Sequence, residues 1–362
     1  MEIETEMPAE MDMETIDSNH SPSSSSAKHF GIKNAIQTNF GDEYVFQIAA
    51  SQDSSTLAVS LSSKVIKLYS PVTGQYFGEC KGHRETIHEI SYSIPSSPNV
   101  ICSCSSDATV RAWDTRTFKQ ILFWDWRSSK QVACLEESHM DDVTQVHFAP
   151  DQQSKLISSS VDGLLCLFDT NGQIDDDNHL ESVMNVGTSI AKVGFFGQRN
   201  EKLWCLTHIE TLSIWDWEDT RREVNFENAR SLASDKWNLD DIDYFVDCYY
   251  SGTDDQLWVI GGTGSGTLGY FPINSNSPST IGSPGAILEG GHLGVVRAVL
   301  PVSNMNGSLA QSKGIFGWTG GEDGRLCCWL SDESSQLNRS WITSALVVKS
   351  PRSRGKNRHH PY

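Results

Sequence analysis

The chain has no Cys-x-x-Cys pair, no apolar run long enough to cross a bilayer, no Gly-x-Ser-x-Gly elbow and no sustained helical periodicity. Each absence excludes a class of protein. Zinc sites usually close around Cys and His at short fixed spacings. Of the nine cysteines, Cys102 and Cys104 are two apart, and Cys327 and Cys328 are adjacent. In strands the first two would share a face and the last two would point to opposite faces. They read as reduced thiols filling a core, with no metal or cofactor. A membrane helix needs roughly 18 consecutive apolar residues, and a serine hydrolase of the α/β type needs the strained elbow. The chain opens on acids rather than on a basic segment followed by an apolar one, so a secretory leader is not expected. Bases are also scarce: 28 Lys and Arg stand against 46 Asp and Glu, a formal charge of −18. A field of that sign disfavours direct binding of the body to nucleic acid or to an acidic membrane. The expectation is an intracellular protein of the nucleus, the cytoplasm or both, with no small-molecule substrate.

Charge is distributed unevenly. Residues 1–17 hold seven acids and no base, and residues 21–26 are almost entirely Ser. No acid follows Glu333, whereas Arg339, Lys349, Arg352, Arg354, Lys356 and Arg358 accumulate toward Tyr362. Residues 1–30 and 336–362 therefore read as two disordered tails, acidic and basic, around a body at 31–335. The basic tail suits a nuclear or nucleolar address, a weak RNA contact or a solvated end.

Within the body, short runs of Val, Ile, Leu, Cys and aromatics alternate with Gly, Ser, Asp and Asn punctuation, an all-β pattern. The pattern repeats. Ser103, Ser158 and Thr319 each lie ten residues before an aromatic, Trp113, Phe168 and Trp329, and Asp107, Asp162 and Asp323 lie six before it. Upstream stand Gly82-His83, Ser138-His139 and Gly291-His292. An Asp at a tight turn accepts from backbone N–H groups and from the His of the preceding loop, and the hydroxyl links that His to the indole. Such a chain satisfies buried polar groups while holding three strands in register. Weaker repeats cover residues 56–70, 203–216 and 256–270, ending at Tyr69, Trp215 and Tyr270. In the last, Gly264 stands in the Asp place.

This Gly-His…Asp…Trp-Asp signature resembles that of the WD-repeat family. The resemblance implies a β-propeller, each repeat a four-stranded antiparallel blade, with six complete blades over residues 40–330. It also implies a non-enzymatic platform on which other proteins dock. One fragment does not fit: Ile121 to Asp125 reads as a third-strand ending, yet Trp124 follows Trp113 by only eleven residues, where a repeat takes roughly 40. Lys130 to Leu135 then reads as a fourth strand. The fragment reads as the remnant of a seventh blade from a seven-bladed parent that has lost about 30 residues, and a six-bladed ring with a long insertion is the alternative.

Loops on a rigid scaffold concentrate binding residues, which makes Arg84, Glu85, Asp141, Asp142, Glu322 and Arg325 candidates. Residues 101–116 resemble the motif by which some WD-repeat proteins engage the damaged-DNA-binding adaptor of a cullin–RING ubiquitin ligase. Ile101, Ser103, Asp107, Val110, Trp113, Asp114 and Arg116 match it, and Cys104 and Ala112 depart from it. Arg116 is the one position that a regular blade would not supply by itself. A role linked to chromatin or ribosome biogenesis is a third reading, motivated by the basic tail.

Overall fold

In the computed structural model, the structure describes residues 27–37, 43–92, 99–107, 109–121, 138–171, 179–237, 239, 241–276, 278–301 and 315–330. Both expected tails, apart from residues 27–30, lie outside them, as do Trp124, Asp125 and Lys130 to Leu135.

Two strands, β1 (Lys28–Phe30) and β2 (Ile32–Gln37), precede the repeats. Blade 1 is β3 (Val45–Ala50), β4 (Leu57–Leu61), β5 (Val65–Tyr69) and β6 (Tyr76–Lys81). Blade 2 is β7 (Ile87–Tyr92), β8 (Val100–Ser105), β9 (Thr109–Asp114) and β10 (Lys119–Ile121). Blade 3 is β11 (Val143–Ala149), β12 (Gln152–Ser160), β13 (Leu164–Asp169) and β14 (Leu180–Asn185). Blade 4 is β15 (Ile190–Phe196), β16 (Lys202–Thr207), β17 (Leu212–Asp216) and β18 (Arg221–Phe226), followed by the short helix α1 (Ala229–Ser234). Blade 5 is β19 (Tyr244–Ser251), β20 (Gln256–Gly262) and β21 (Leu268–Asn274), edged by β22 (Thr280–Ile281) and β23 (Ala286–Leu288). Blade 6 is β24 (Val296–Pro301), β25 (Ile315–Gly321) and β26 (Arg325–Leu330).

Each blade is an antiparallel meander, and the six stand in a ring as a β-propeller. The inner strand of every blade carries an irregularity at one place, between Val45 and Gln47, Ile87 and Glu89, Val143 and Gln145, Ile190 and Lys192, Phe245 and Asp247, and Val296 and Ala298. A bulge adds local twist and re-aims side chains. Six copies of it give the inner strands a common geometry and a common residue numbering from blade to blade.

The two ends of the body meet. β2 pairs with β26 as the outer strand of blade 6, and β1 runs parallel to β23 outside blade 5. The body therefore starts by Lys28, and the boundary expected after residue 30 is corrected: Phe30 stacks on Phe316 with ring centroids 4.1 Å apart. The expectation at Ile121 is corrected as well. This residue pairs with Ala112 at the end of β10, so it belongs to the outer strand of blade 2 and not to a third strand.

Buried apolar clusters join blade 1 to 2, blade 3 to 4, blade 4 to 5, blade 5 to 6 and blade 6 to 1. Among the described residues none joins blade 2 to blade 3. Burying apolar area is the main favourable term in folding, so among the described residues the ring is held by apolar packing at five junctions and not at the sixth. Polar bridges follow the same division. The Gln47 side-chain oxygen accepts from Ile90 N–H at 2.8 Å, Gln145 accepts from Val193 N–H at 2.8 Å, and Glu210 accepts from Phe245 N–H at 2.7 Å. Tyr244 Oη accepts from Val296 N–H at 2.7 Å, and Trp318 Nε1 donates to the Pro71 carbonyl at 3.1 Å.

Candidate functional site

The three regular repeats build one polar chain each. Asp107, Asp162 and Asp323 open the turn between the second and third strands of their blades. Each caps that turn by accepting from the N–H two residues on, Thr109, Leu164 and Arg325, at 2.9–3.1 Å. The same carboxylates accept from Arg84, Met140 and Leu293 N–H in the preceding loop, at 3.0, 3.0 and 2.8 Å. The Nδ1 atoms of His83, His139 and His292 stand 2.9, 3.0 and 3.1 Å from them. On the other ring nitrogen the hydroxyls of Ser103, Ser158 and Thr319 sit at 2.7, 2.6 and 2.7 Å. Trp113 and Trp329 donate to Ser103 and Thr319 at 2.9 and 2.8 Å.

Donor chemistry gives these chains a direction. An indole N–H can only donate, so the hydroxyl accepts from it and is free to donate to His Nε2. A neutral ring then carries its proton on Nδ1 and donates to the carboxylate, a tautomer assigned by the network. The Asp107 carboxyl is held well below the ordinary range, chiefly by the Thr109 hydroxyl and then by Arg84 N–H and His83. At Asp323 burial pushes upward but is outweighed by His292 and the N–H groups of Leu293 and Arg325, and the net shift is down. The Ser103 side chain is 2% exposed and fully engaged, so this Ser-His-Asp set is architecture and not a nucleophile.

The small residue before each His has a reason. A Cβ at Gly291 would meet the Trp329 ring at 2.6 Å, and one at Gly82 would meet Trp113 at 3.0 Å. Blade 3 has the smaller Phe168 in the indole place and carries Ser138 there. The weak blades substitute locally. In blade 4 Trp215 donates to Ser213 on its own strand at 2.9 Å. In blade 5 the residue facing blade 4 is Phe271 beside Trp237, while Tyr270 faces blade 6. The repeat ending expected at Tyr270 is thus displaced by one residue.

Strand direction sorts the candidate binding residues. In an antiparallel blade, the loop entering the first strand and the turn between the second and third lie at one end. The other two turns lie at the opposite end. Arg84, Glu85, Asp141, Asp142, Glu322 and Arg325 share the first face. Asp114 and Arg116 lie on the second. Trp113 is on neither, being 1% exposed, and is corrected from a partner contact to a core residue. Glu322 is engaged by Arg297, and Arg325 donates to the Gly291 carbonyl at 2.9 Å. Arg116 is exposed, and its guanidinium and backbone N–H close on the Asp114 carboxylate at 2.6–2.9 Å.

Sequence reasoning missed three apolar side chains on the first face: Met140, Leu293 and Ile209, which are 94%, 72% and 65% exposed. Met140 and Leu293 directly follow a chain His, whose side chain points inward while the next N–H is pinned on the Asp. The following side chain is therefore turned out to solvent, and an apolar residue after Gly-His or Ser-His was the signal. A cavity of about 480 Å³ lies among the inner strands of blades 3 to 6, lined in part by His147, Phe148, Asp247 and Tyr249. Among the described residues no group of three or more His, Cys, Asp and Glu side chains could hold a metal ion. Burial pushes the thiols of Cys80, Cys205, Cys327 and Cys328 up from their ordinary range.

The family described as WD domain, G-beta repeat matches residues 74–114 and 129–169. WD repeat-containing protein GTS1 of Arabidopsis thaliana is 57% identical and is covered over its full length by the full length of this chain. The chain belongs to the WD-repeat family. Its propellers generally serve as non-enzymatic platforms for proteins. The Arabidopsis alignment runs over 396 positions, 34 more than the 362 residues here. A WD repeat-containing protein 89 homolog of Dictyostelium discoideum is 28% identical over 91% of this chain and 92% of its own. A ribosome biogenesis protein WDR12 homolog of Ixodes scapularis is 32% identical over 30% of this chain and 24% of its own.

Proposed function

We propose that this chain is a non-enzymatic docking platform that takes protein partners on the face carrying Met140, Ile209 and Leu293. The observation behind this reading is that three large apolar side chains stand exposed at one end of the ring, flanked by the charged Arg84, Glu85, Asp141 and Asp142. Apolar anchors inside a charged rim are the anatomy of a protein interface. In affinity purification from cells, followed by mass spectrometry, the triple change Met140→Asp, Ile209→Asp, Leu293→Asp is expected to lose specific partners. Its thermal midpoint should hold within about 3 °C, since exposed positions contribute little to stability. An unchanged partner set would move the interface elsewhere.

A second reading rests on Arg116, which reaches solvent on the opposite face beside the motif at residues 101–116. Its partner would be the cullin–RING adaptor, bound through a guanidinium preset by Asp114. Arg116→Ala is expected to leave folding intact and to abolish capture of the purified adaptor. Equal capture by both forms would remove this reading. The shorter likeness to the Ixodes ribosome biogenesis protein and the basic tail support the nuclear alternative. Precursor ribosomal proteins in the same purification would mark it.

A further inference from the structure

The sixth junction, between blades 2 and 3, has two faces, and equivalent positions in the other blades define what each should be. On the entering face, the position before the inner-strand bulge is Val45, Ile87, Ile190 and Val296 in blades 1, 2, 4 and 6, all 0–1% exposed, whereas Val143 in blade 3 is 50% exposed. The next inward position, Val146, is 48% exposed where its equivalents Ile90 and Val193 are 5% and 2%, and Phe148 is 57% exposed where its equivalents Tyr92 and Phe195 are half-buried. On the leaving face, the third-strand position is Ile66, Leu165, Leu212, Leu268 and Leu326 in the other five blades, every one 0% exposed. Val110 of blade 2 is 77% exposed. Glu89 stands where Gln47 and Gln145 bridge to the next blade, and its carboxylate makes no hydrogen bond to a described residue of blade 3.

Both faces thus keep the residues of a closed junction, and among the described residues no sheet covers them. Chain length agrees. Between Ile121, where the described part of β10 ends, and Val143 the sequence has 21 residues, against 5, 4, 17 and 7 between the corresponding strands before blades 2, 4, 5 and 6. That surplus is too short for a repeat of roughly 40 residues. Added to the 34 positions that the Arabidopsis relative holds in excess, it exceeds one.

We infer that the seam between blades 2 and 3 is the socket of a seventh blade. Its occupant is a segment of this protein's own chain, at least 34 residues long, that belongs between Ile121 and Ser138 and is absent from this form. The observation that decides between this and a finished six-bladed ring is Val110 against its five buried counterparts. A ring designed for six would bury both flanks or carry polar residues on them.

Two measurements test the socket. In the first, the unmatched positions of the Arabidopsis relative are placed between Ile121 and Ser138, beside the chain as it stands and a scrambled insert of equal length. The restored blade is expected to cut binding of an apolar-surface dye several-fold and to raise the thermal midpoint by on the order of 5 °C or more. A midpoint and dye signal no better than those of the scrambled insert would overturn the inference. The second does not depend on the insert folding. In the present chain, Val146→Asp with Phe148→Ser should shift the midpoint by less than about 2 °C and lower dye binding, because exposed positions are permissive. The matched change Ile90→Asp with Tyr92→Ser, at the closed junction, should cost well over 5 °C. Equal losses from the two pairs would show that the seam is closed in solution.

Discussion

Trp329→Ala is expected to lower the unfolding free energy by about 3–5 kcal/mol, the range for truncating a buried aromatic. Trp329 is fully buried between blades 5 and 6 with Tyr270, Val296 and Cys327. It pairs with Ile32 of β2, so its strand is the one on which the beginning of the body is latched. Truncation removes the ring over Gly291 and also the donor to Thr319. Trp329→Phe separates the two effects. Phe168 occupies the same place in blade 3, and Thr319 keeps His292 as a partner, so the loss should fall to about 1–2 kcal/mol. Denaturant unfolding of the three forms measures both. An Ala variant within about 1 kcal/mol of the parent would show that the slot collapses and that the indole is no anchor.

The polar chains were legible because each depends on short-range rules. Asp at a turn fixes where the third strand starts, strand parity carries the aromatic to the same face six residues on, and His upstream meets the turn from the same end. The latch was not legible. β2, Ile-Lys-Asn-Ala-Ile-Gln, mixes polar and apolar residues and carries no repeat signal, and its partner β26 lies near the other end of the body. Blade 5 misled for a different reason: its Gly-rich turn supplies no Asp to fix the register, and a one-residue slip exchanges the two faces of a strand. The assignment of Tyr270 in place of Phe271 was such a slip.

The candidate site was legible only in part. Charged loop residues were picked by type, and the structure sets Arg325 and Glu322 to work within the molecule. The apolar residues after each His were passed over because exposure of Met140 and Leu293 follows from how the preceding His is held, a tertiary fact. Broken periodicity near Trp124 was visible in the sequence. What it left behind, two apolar faces on blades that are sequence neighbours but not packed ones, needed coordinates.

Blade 1 holds the other large effect, and nothing in its sequence announced it. No His precedes this blade in the place of His83. Lys67 stands on β5 at the position of Arg111 and Cys327, between Ile66 and Leu68, and its side chain is 8% exposed. Glu43, in the loop entering blade 1, is 7% exposed and meets it at 3.2 Å. The pair ties the third strand to the entering loop, as His, Asp and hydroxyl do in blades 2, 3 and 6. Breaking a buried pair from one side leaves a desolvated charge, which costs about 3–5 kcal/mol. Lys67→Met is therefore expected to destabilise by that amount. Replacing both partners, Glu43→Gln with Lys67→Met, removes both charges from the site and should recover most of the loss. A double-mutant cycle on denaturant unfolding reads the coupling directly, and a value above about 2 kcal/mol is expected. Additive single changes would show that the two side chains do not share a dry site.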